Sequence, residues 1–243
     1  MSFLNAEWRK LILVNYELDP SILKDYVPFG TELDLWNGKC LVSLVGFMFV
    51  NTKILGLKIP GHVNFEEVNL RFYVQRKVRD ESKRGVVFIK ELVPKHALTI
   101  VANSVYKEHY QTVPMKHSWI ENENQQTVEY AWKSDNDWQS IKVEAEKVEK
   151  AILAGTEEEF ITEHYWGYTK IKDEKSFEYE VTHPIWDCYK IIDWSVDVDF
   201  EKTYGRNFRI LNSTNPTSIM LAEGSEITVE NKSKITHANN VYN

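Results

Sequence analysis

Two neighbouring segments decide the fold: Lys39–Val50, KCLVSLVGFMFV, and Asn64–Val78, NFEEVNLRFYVQRKV. Read with period two, the first is apolar on both faces. Leu41, Val45, Phe47 and Phe49 lie on one, and Val42, Leu44, Met48 and Val50 on the other. A strand of that kind is covered on both sides and belongs in the middle of a sheet. The second segment alternates: Val68, Leu70, Phe72 and Val74 share one face, and Glu67, Asn69, Arg71 and Tyr73 share the other. A charged turn leads to Val86–Val93, VVFIKELV, which is expected to pair antiparallel with it.

Working outward, Trp8–Leu18 and Thr31–Trp36 read as strands. Asn37-Gly38 is a strong hairpin signal between the latter and Lys39–Val50. Asp19-Pro20-Ser21 opens a short helix, with Asp19 as cap and Pro20 in the first turn. Pro94 ends the strand before it, and Ala97, Ile100, Val101, Ser104 and Val105 predict a helix over Lys95–Tyr106. Further strands are expected at Met115–Glu121, Gln126–Lys133, Trp138–Glu146, Tyr165–Lys172, Phe177–His183, Ile185–Val198 and Ile219–Val229. Thr156 with Glu159 suggests a capping box and a short helix. No repeat or linker divides the chain, so residues 1–230 are expected to form one mainly β, antiparallel domain with short helices. Residues 231–243 are expected to be a polar, fraying tail.

With 243 residues, folding hides about 70–75% of the unfolded surface, enough for a core without staples. The aromatic share of 13% favours sheet. A net charge of −7 disfavours nucleic acid. The densest basic stretch, Arg76–Arg84, is interrupted by Asp80 and Glu81 and reads as a solvated hairpin tip. Cys40 and Cys188 are expected to be free thiols in a reducing compartment. Met1–Trp8 shows no apolar leader, and Leu41–Val50 is too short to span a bilayer, so a cytoplasmic protein is expected. His62, His117, His164 and His183 have no metal-ligand spacing; no metal and no cofactor is expected.

Trp8–Phe47, Asn64–Val74, Arg84–Leu98, Glu163–Lys170 and Ala222–Val229 resemble the YqjF-like family of uncharacterised bacterial proteins. That family is grouped by fold with acetoacetate decarboxylase, so the resemblance implies an antiparallel, barrel-like β core with short helices around it. Ile22–Asp34, ILKDYVPFGTELD, resembles the helix and following strand of the decarboxylase itself. Glu91–Ala97, ELVPKHA, resembles the segment carrying its Schiff-base lysine. On that match Lys95 falls at the reactive lysine, Arg9 at an arginine of the first strand, and Glu67, with Glu66 as the alternative, near an active-site glutamate. The chain departs from the pattern where the second lysine is His96, and where a further glutamate would fall in the acid-free stretch Leu41–Ser43.

The chemistry leaves alternatives open. A Schiff-base lysine must be neutral to attack a carbonyl, so it needs desolvation or a neighbouring cation. His96 is a weaker aid than a lysine, and from its own residues Lys95 reads first as a solvated lysine at a helix start. On an open sheet the face Glu67, Asn69, Arg71, Tyr73 meets water, whereas in a barrel it lines a polar cavity, where Arg71 can fork a carboxylate. Tyr165-Trp166-Gly167-Tyr168 suits either a pocket or a β core. The expectation is therefore a cavity that binds, and at most decarboxylates, a small organic or keto acid. Lys95 and Glu67 would be catalytic there, and Arg9, Asn69, Arg71 and Tyr73 ligand-binding. The alternative is a non-catalytic ligand-binding or interaction module on the same fold.

Overall fold

The structure is a computed structural model that describes residues 2–237. Its strands are β1 (Leu4–Glu17), β2 (Glu32–Leu33), β3 (Leu41–Ile54), β4 (Phe65–Val78), β5 (Glu81–Val93), β6 (Tyr110–Thr112) and β7 (Met115–Glu121). They continue with β8 (Gln125–Ser134), β9 (Asp137–Ala151), β10 (Trp166–Lys172), β11 (Lys175–Thr182), β12 (Asp187–Asp197), β13 (Ser218–Val229) and β14 (Ser233–Ile235). The helices are α1 (Pro20–Leu23), α2 (His96–Val105), α3 (Glu157–Thr162) and α4 (Phe200–Tyr204), followed by a 3-10 segment at Arg206–Ser213.

The strands form one mainly antiparallel sheet in the order β14-β11-β10-β5-β4-β3-β1-β13-β12-β9-β8-β7. The pairings of β10 and of β6 with β5 are parallel. A further antiparallel pairing, Val181 with Val229 and Thr182 with Thr228, joins β11 to β13. The hydrogen-bonded path from β11 through β5, β3 and β1 to β13 thus returns on itself.

As its two-faced pattern required, β3 lies between β1 and β4 and is buried from Leu41 to Phe49. Leu41, Val45, Phe47 and Phe49 join one apolar cluster with Leu11, Leu13, Phe65 and Trp186. Val42, Leu44 and Met48 join another with Val68, Leu70, Phe72 and Val74 of β4. That second cluster is closed by Tyr130, Trp132 and Ile141 of β8 and β9, and by Phe200 and Phe208. So the outer face of β4 packs under strands as well as helices. Gly46 makes this approach feasible: a Cβ there would stand 2.8 Å from Ile141 Cδ1 and 3.0 Å from Tyr130 Cδ2.

Several local expectations are corrected. Asn37 and Gly38 have φ of 48° and 82° and close a tight turn, but Trp36–Lys39 is only an isolated bridge. Both edges of β3 are already occupied, so β2 shortens to two residues and pairs with Val74 and Gln75 of β4 instead. Arg76 is not solvated; it is buried, with Nη1 donating to both Glu178 oxygens at 2.9 and 3.0 Å. The stripe expected to anchor α2 is largely outside: Ile100 is 65% and Val105 40% exposed, and of its members Val101 reaches the cavity lining. Within the tail, Ser233–Ile235 pairs with β11 and buries Ile235; residues 238–243 lie outside the described residues. Asp19 caps α1 as expected, its Oδ1 accepting from Ser21 N at 2.8 Å.

Candidate functional site

Inside the circuit of strands lies a cavity of about 120 Å³. Period two on β4 turns Glu67, Asn69 and Arg71 into it, since the opposite face is committed to the outer cluster. β5 contributes Glu91, which sits across from Asn69 in the ladder. The segment after α2 contributes Glu108 and Tyr110, and β11 contributes Tyr179. Three carboxyl groups from three parts of the chain therefore share one buried end.

Their partners are specific. Glu67 accepts from Asn69 Nδ2 at 2.9 Å and from the Tyr110 hydroxyl at 3.1 Å. Glu108 Oε1 accepts from Thr169 Oγ1 at 2.5 Å and from the Tyr179 hydroxyl at 3.0 Å. Among the described residues Glu91 Oε2 has no partner. Burial pushes the Glu67 and Glu108 carboxyls up to about 7, against the hydrogen bonds that favour their ionised forms. Burial, and then the charges of Glu108 and Glu67, raise Glu91 well above the carboxylate range. That shift favours the protonated form of Glu91, which carries an O–H donor.

The cation of the site is Arg71. It is buried, yet among the described residues its guanidinium makes one hydrogen bond, a long one from Nη2 to Ile161 O at 3.4 Å. Its Nε has no partner, and its guanidinium carbon lies 5.7 Å from the Tyr73 ring centroid. His164 also lines the cavity; its Nε2 lies 3.1 Å from Asp34 Oδ2, which accepts from Arg84 Nε at 2.7 Å. Burial lowers His164 to about 4, so the ring is neutral at pH 7. His183 is held near 4 by burial as well. Gly167 has no side chain because Tyr179 crosses it: a Cβ would stand 2.2 Å from Tyr179 Cζ.

Of the residues singled out in the sequence, Glu67, Asn69 and Arg71 come together at the cavity. Tyr73 is buried on the same face but beyond the cavity, its hydroxyl 2.5 Å from Ser43 Oγ. Arg9 lies at a bulge of β1, is half-buried and pairs with Glu7, Nε to Oε2 2.8 Å. Lys95 is half-buried just before α2 and is not among the residues lining the cavity; among the described lining residues there is no lysine. From α2 the cavity receives Leu98, Val101 and Ala102. Sequence reading missed Glu91, Glu108, Tyr110, Tyr179 and His164. One signal was available for Glu91, the one acid in VVFIKELV, where all other residues but Lys90 are apolar. Neither cysteine takes part; Cys40 and Cys188 are free and absent from the lining. Among the described residues no His/Cys/Asp/Glu cluster suits a metal, and no helix is long and apolar enough to cross a membrane.

This mainly β fold is shared with acetoacetate decarboxylase-like proteins. The acetoacetate decarboxylase of Legionella pneumophila matches with a TM-score of 0.65 at 11% identity, covering 96% of this chain and 87% of that one. The enduracididine biosynthesis enzyme MppR, complexed with pyruvate, matches with 0.67 at 10%, covering 98% and 92%. At such identities the likeness is one of fold. Sequence supplies the family: the DUF2071 model, described as an uncharacterized conserved protein, matches residues 5–226, and the chain belongs to that family. Among its relatives is the uncharacterized protein YqjF of Bacillus subtilis (strain 168), 29% identical over 184 residues, which are 74% of this chain and 72% of that protein.

Proposed function

We propose that the protein binds a small organic acid in the cavity, with Arg71 as the carboxylate anchor. The observation that carries this reading is the buried Arg71 guanidinium, which among the described residues has one long hydrogen bond and an unpartnered Nε. A buried charge without a partner costs several kcal/mol, and a bound anion removes that penalty. Glu91 Oε2, one strand away, is the second unspent donor when protonated. Together the two suit the two oxygens of a carboxylate. On this reading the circuit of strands is the wall of a barrel, and Glu67 and Asn69 order the polar end. The fold relatives, an acetoacetate decarboxylase and an enzyme complexed with pyruvate, point to keto acids among the acids to be tried.

Binding is favoured over conversion because no lysine is found among the described lining residues. Imine chemistry at Lys95, the role implied by the resemblance, needs Nζ at a bound carbonyl. The test is thermal shift and calorimetry on wild type and Arg71→Met with a panel of monocarboxylates, and borohydride trapping with keto acids. Binding to wild type that is lost in Arg71→Met, with no covalent adduct, is the expected result. An adduct lost in Lys95→Gln would instead establish the decarboxylase-like reading. No acid bound by folded wild type would remove both.

A further inference from the structure

The rest of the cavity narrows the kind of acid. The polar end is the deep end: Glu67, Asn69 and Glu91 are each at most 2% exposed. Elsewhere the lining is apolar and more open, with Phe3, Ile54 and Leu98 half-buried and Val101 40% exposed. The lining also carries an aromatic wall. Trp8 lies edge-on to Phe47, Phe49 and Trp186 at centroid distances of 5.3, 6.0 and 6.2 Å, and all four line the cavity. At roughly 10–15 Å³ per water-sized group, the volume of about 120 Å³ has room for about eight to twelve non-hydrogen atoms.

The geometry points to a monocarboxylic acid with an apolar alkyl or aryl body, bound head first, its carboxylate at Arg71 and its body along Trp8, Phe47 and Phe49 toward α2. This rests on the reading of Arg71 as anchor and adds the substrate class. Acids as short as acetate or pyruvate leave most of the aromatic wall without contact. A dicarboxylate of similar length places its second charge against apolar carbons, where nothing replaces its hydration. An apolar body gains with each carbon buried, at about fourfold in affinity per methylene, until the cavity is full.

The test is calorimetry on the full chain at pH 7, with tryptophan fluorescence as a second readout. Probes are acetate, pyruvate, butyrate, hexanoate, octanoate, phenylacetate and succinate. Affinity rising steeply from acetate to hexanoate, with phenylacetate bound and succinate not, is the expected result. Ala102→Phe, which adds bulk to the α2 side of the lining, should weaken hexanoate binding more than acetate binding; an equal loss for both would count against the body lying along that side. Short acids or succinate binding as tightly as hexanoate would overturn the apolar-body inference and leave Arg71 as anchor. No binding by any acid, with native circular dichroism, would overturn both. So would binding that Arg71→Met leaves unchanged.

Discussion

Replacing Glu108 by Gln should make the protein more stable at pH 8 and leave it almost unchanged at pH 4.5. In the folded chain burial holds this carboxyl at about 7, whereas 4.5 is its ordinary value. Between those two pH values the native state retains a proton that the unfolded state has released, so stability falls as pH rises through the window. Above it the deficit is constant. At about 1.4 kcal/mol per pH unit, the interval from 4.5 to about 7 amounts to an upper bound of about 3.5 kcal/mol. Glutamine suits the site, because both donors, Thr169 Oγ1 and the Tyr179 hydroxyl, address the same oxygen, Oε1. An amide oxygen accepts from both without carrying charge. Urea unfolding of wild type and Glu108→Gln between pH 4.5 and 8.5, extrapolated to water, gives the difference directly. A pH-independent difference would refute the reasoning. So would a variant that becomes relatively weaker as pH rises, since Glu108 would then be ionised and held by its donors.

Three further outcomes are expected. Gly167→Ala should destabilise by about 2–4 kcal/mol, because the Tyr179 ring must move and leave Glu108; in a Tyr179→Leu background most of that loss should vanish, and an unchanged loss in urea titrations would show that the ring is not the obstacle. The His164 ring should titrate near pH 4 when followed by its imidazole C–H resonances, so stability gained through it appears as pH rises from about 4 toward 6.5; a midpoint above 6 would mean that the ring is not desolvated. At a net charge of −7 the protein should pass through heparin at physiological salt, and retention would reopen nucleic acid as a partner.

The parts legible in the sequence are those written in a local side-chain period. The two faces of β3 separate residue by residue into the two apolar clusters, because covering both sides of a strand needs apolar side chains at every position. The alternation of β4 gave the correct partition too, but water and a cavity impose the same pattern, so inside and outside were not distinguishable. The acid end was hidden for another reason. Glu91 meets Asn69 through a ladder with a register shift between Leu70 and Arg71, and Glu108 arrives from beyond α2. No local pattern encodes such a meeting. α2 was misread because its inward side, Leu98, Val101 and Ala102, covers a cavity rather than a packed core, which leaves Ile100 and Val105 in solvent. Lys95 sits in a segment of the expected composition, yet the stop at Pro94 and the start of α2 leave it off the cavity wall.

The pairing of Val181 and Thr182 with Val229 and Thr228 also sets an order of events in folding. Val181 and Val229 are themselves part of the cavity wall. The strand that supplies Val229, Ser218–Val229, also lies along almost the whole of β1, from Leu4 to Asn15. The first long strand of the chain therefore keeps an open edge until the thirteenth arrives, more than two hundred residues later. A ribosome-bound chain shorter than residue 218 has the three acids and Arg71 but no enclosure to hold them apart from water. Contacts so distant in sequence close slowly, so the cavity should close in the last stage of folding, and the proposed acid binding should appear later than most of the strand signal in a refolding experiment.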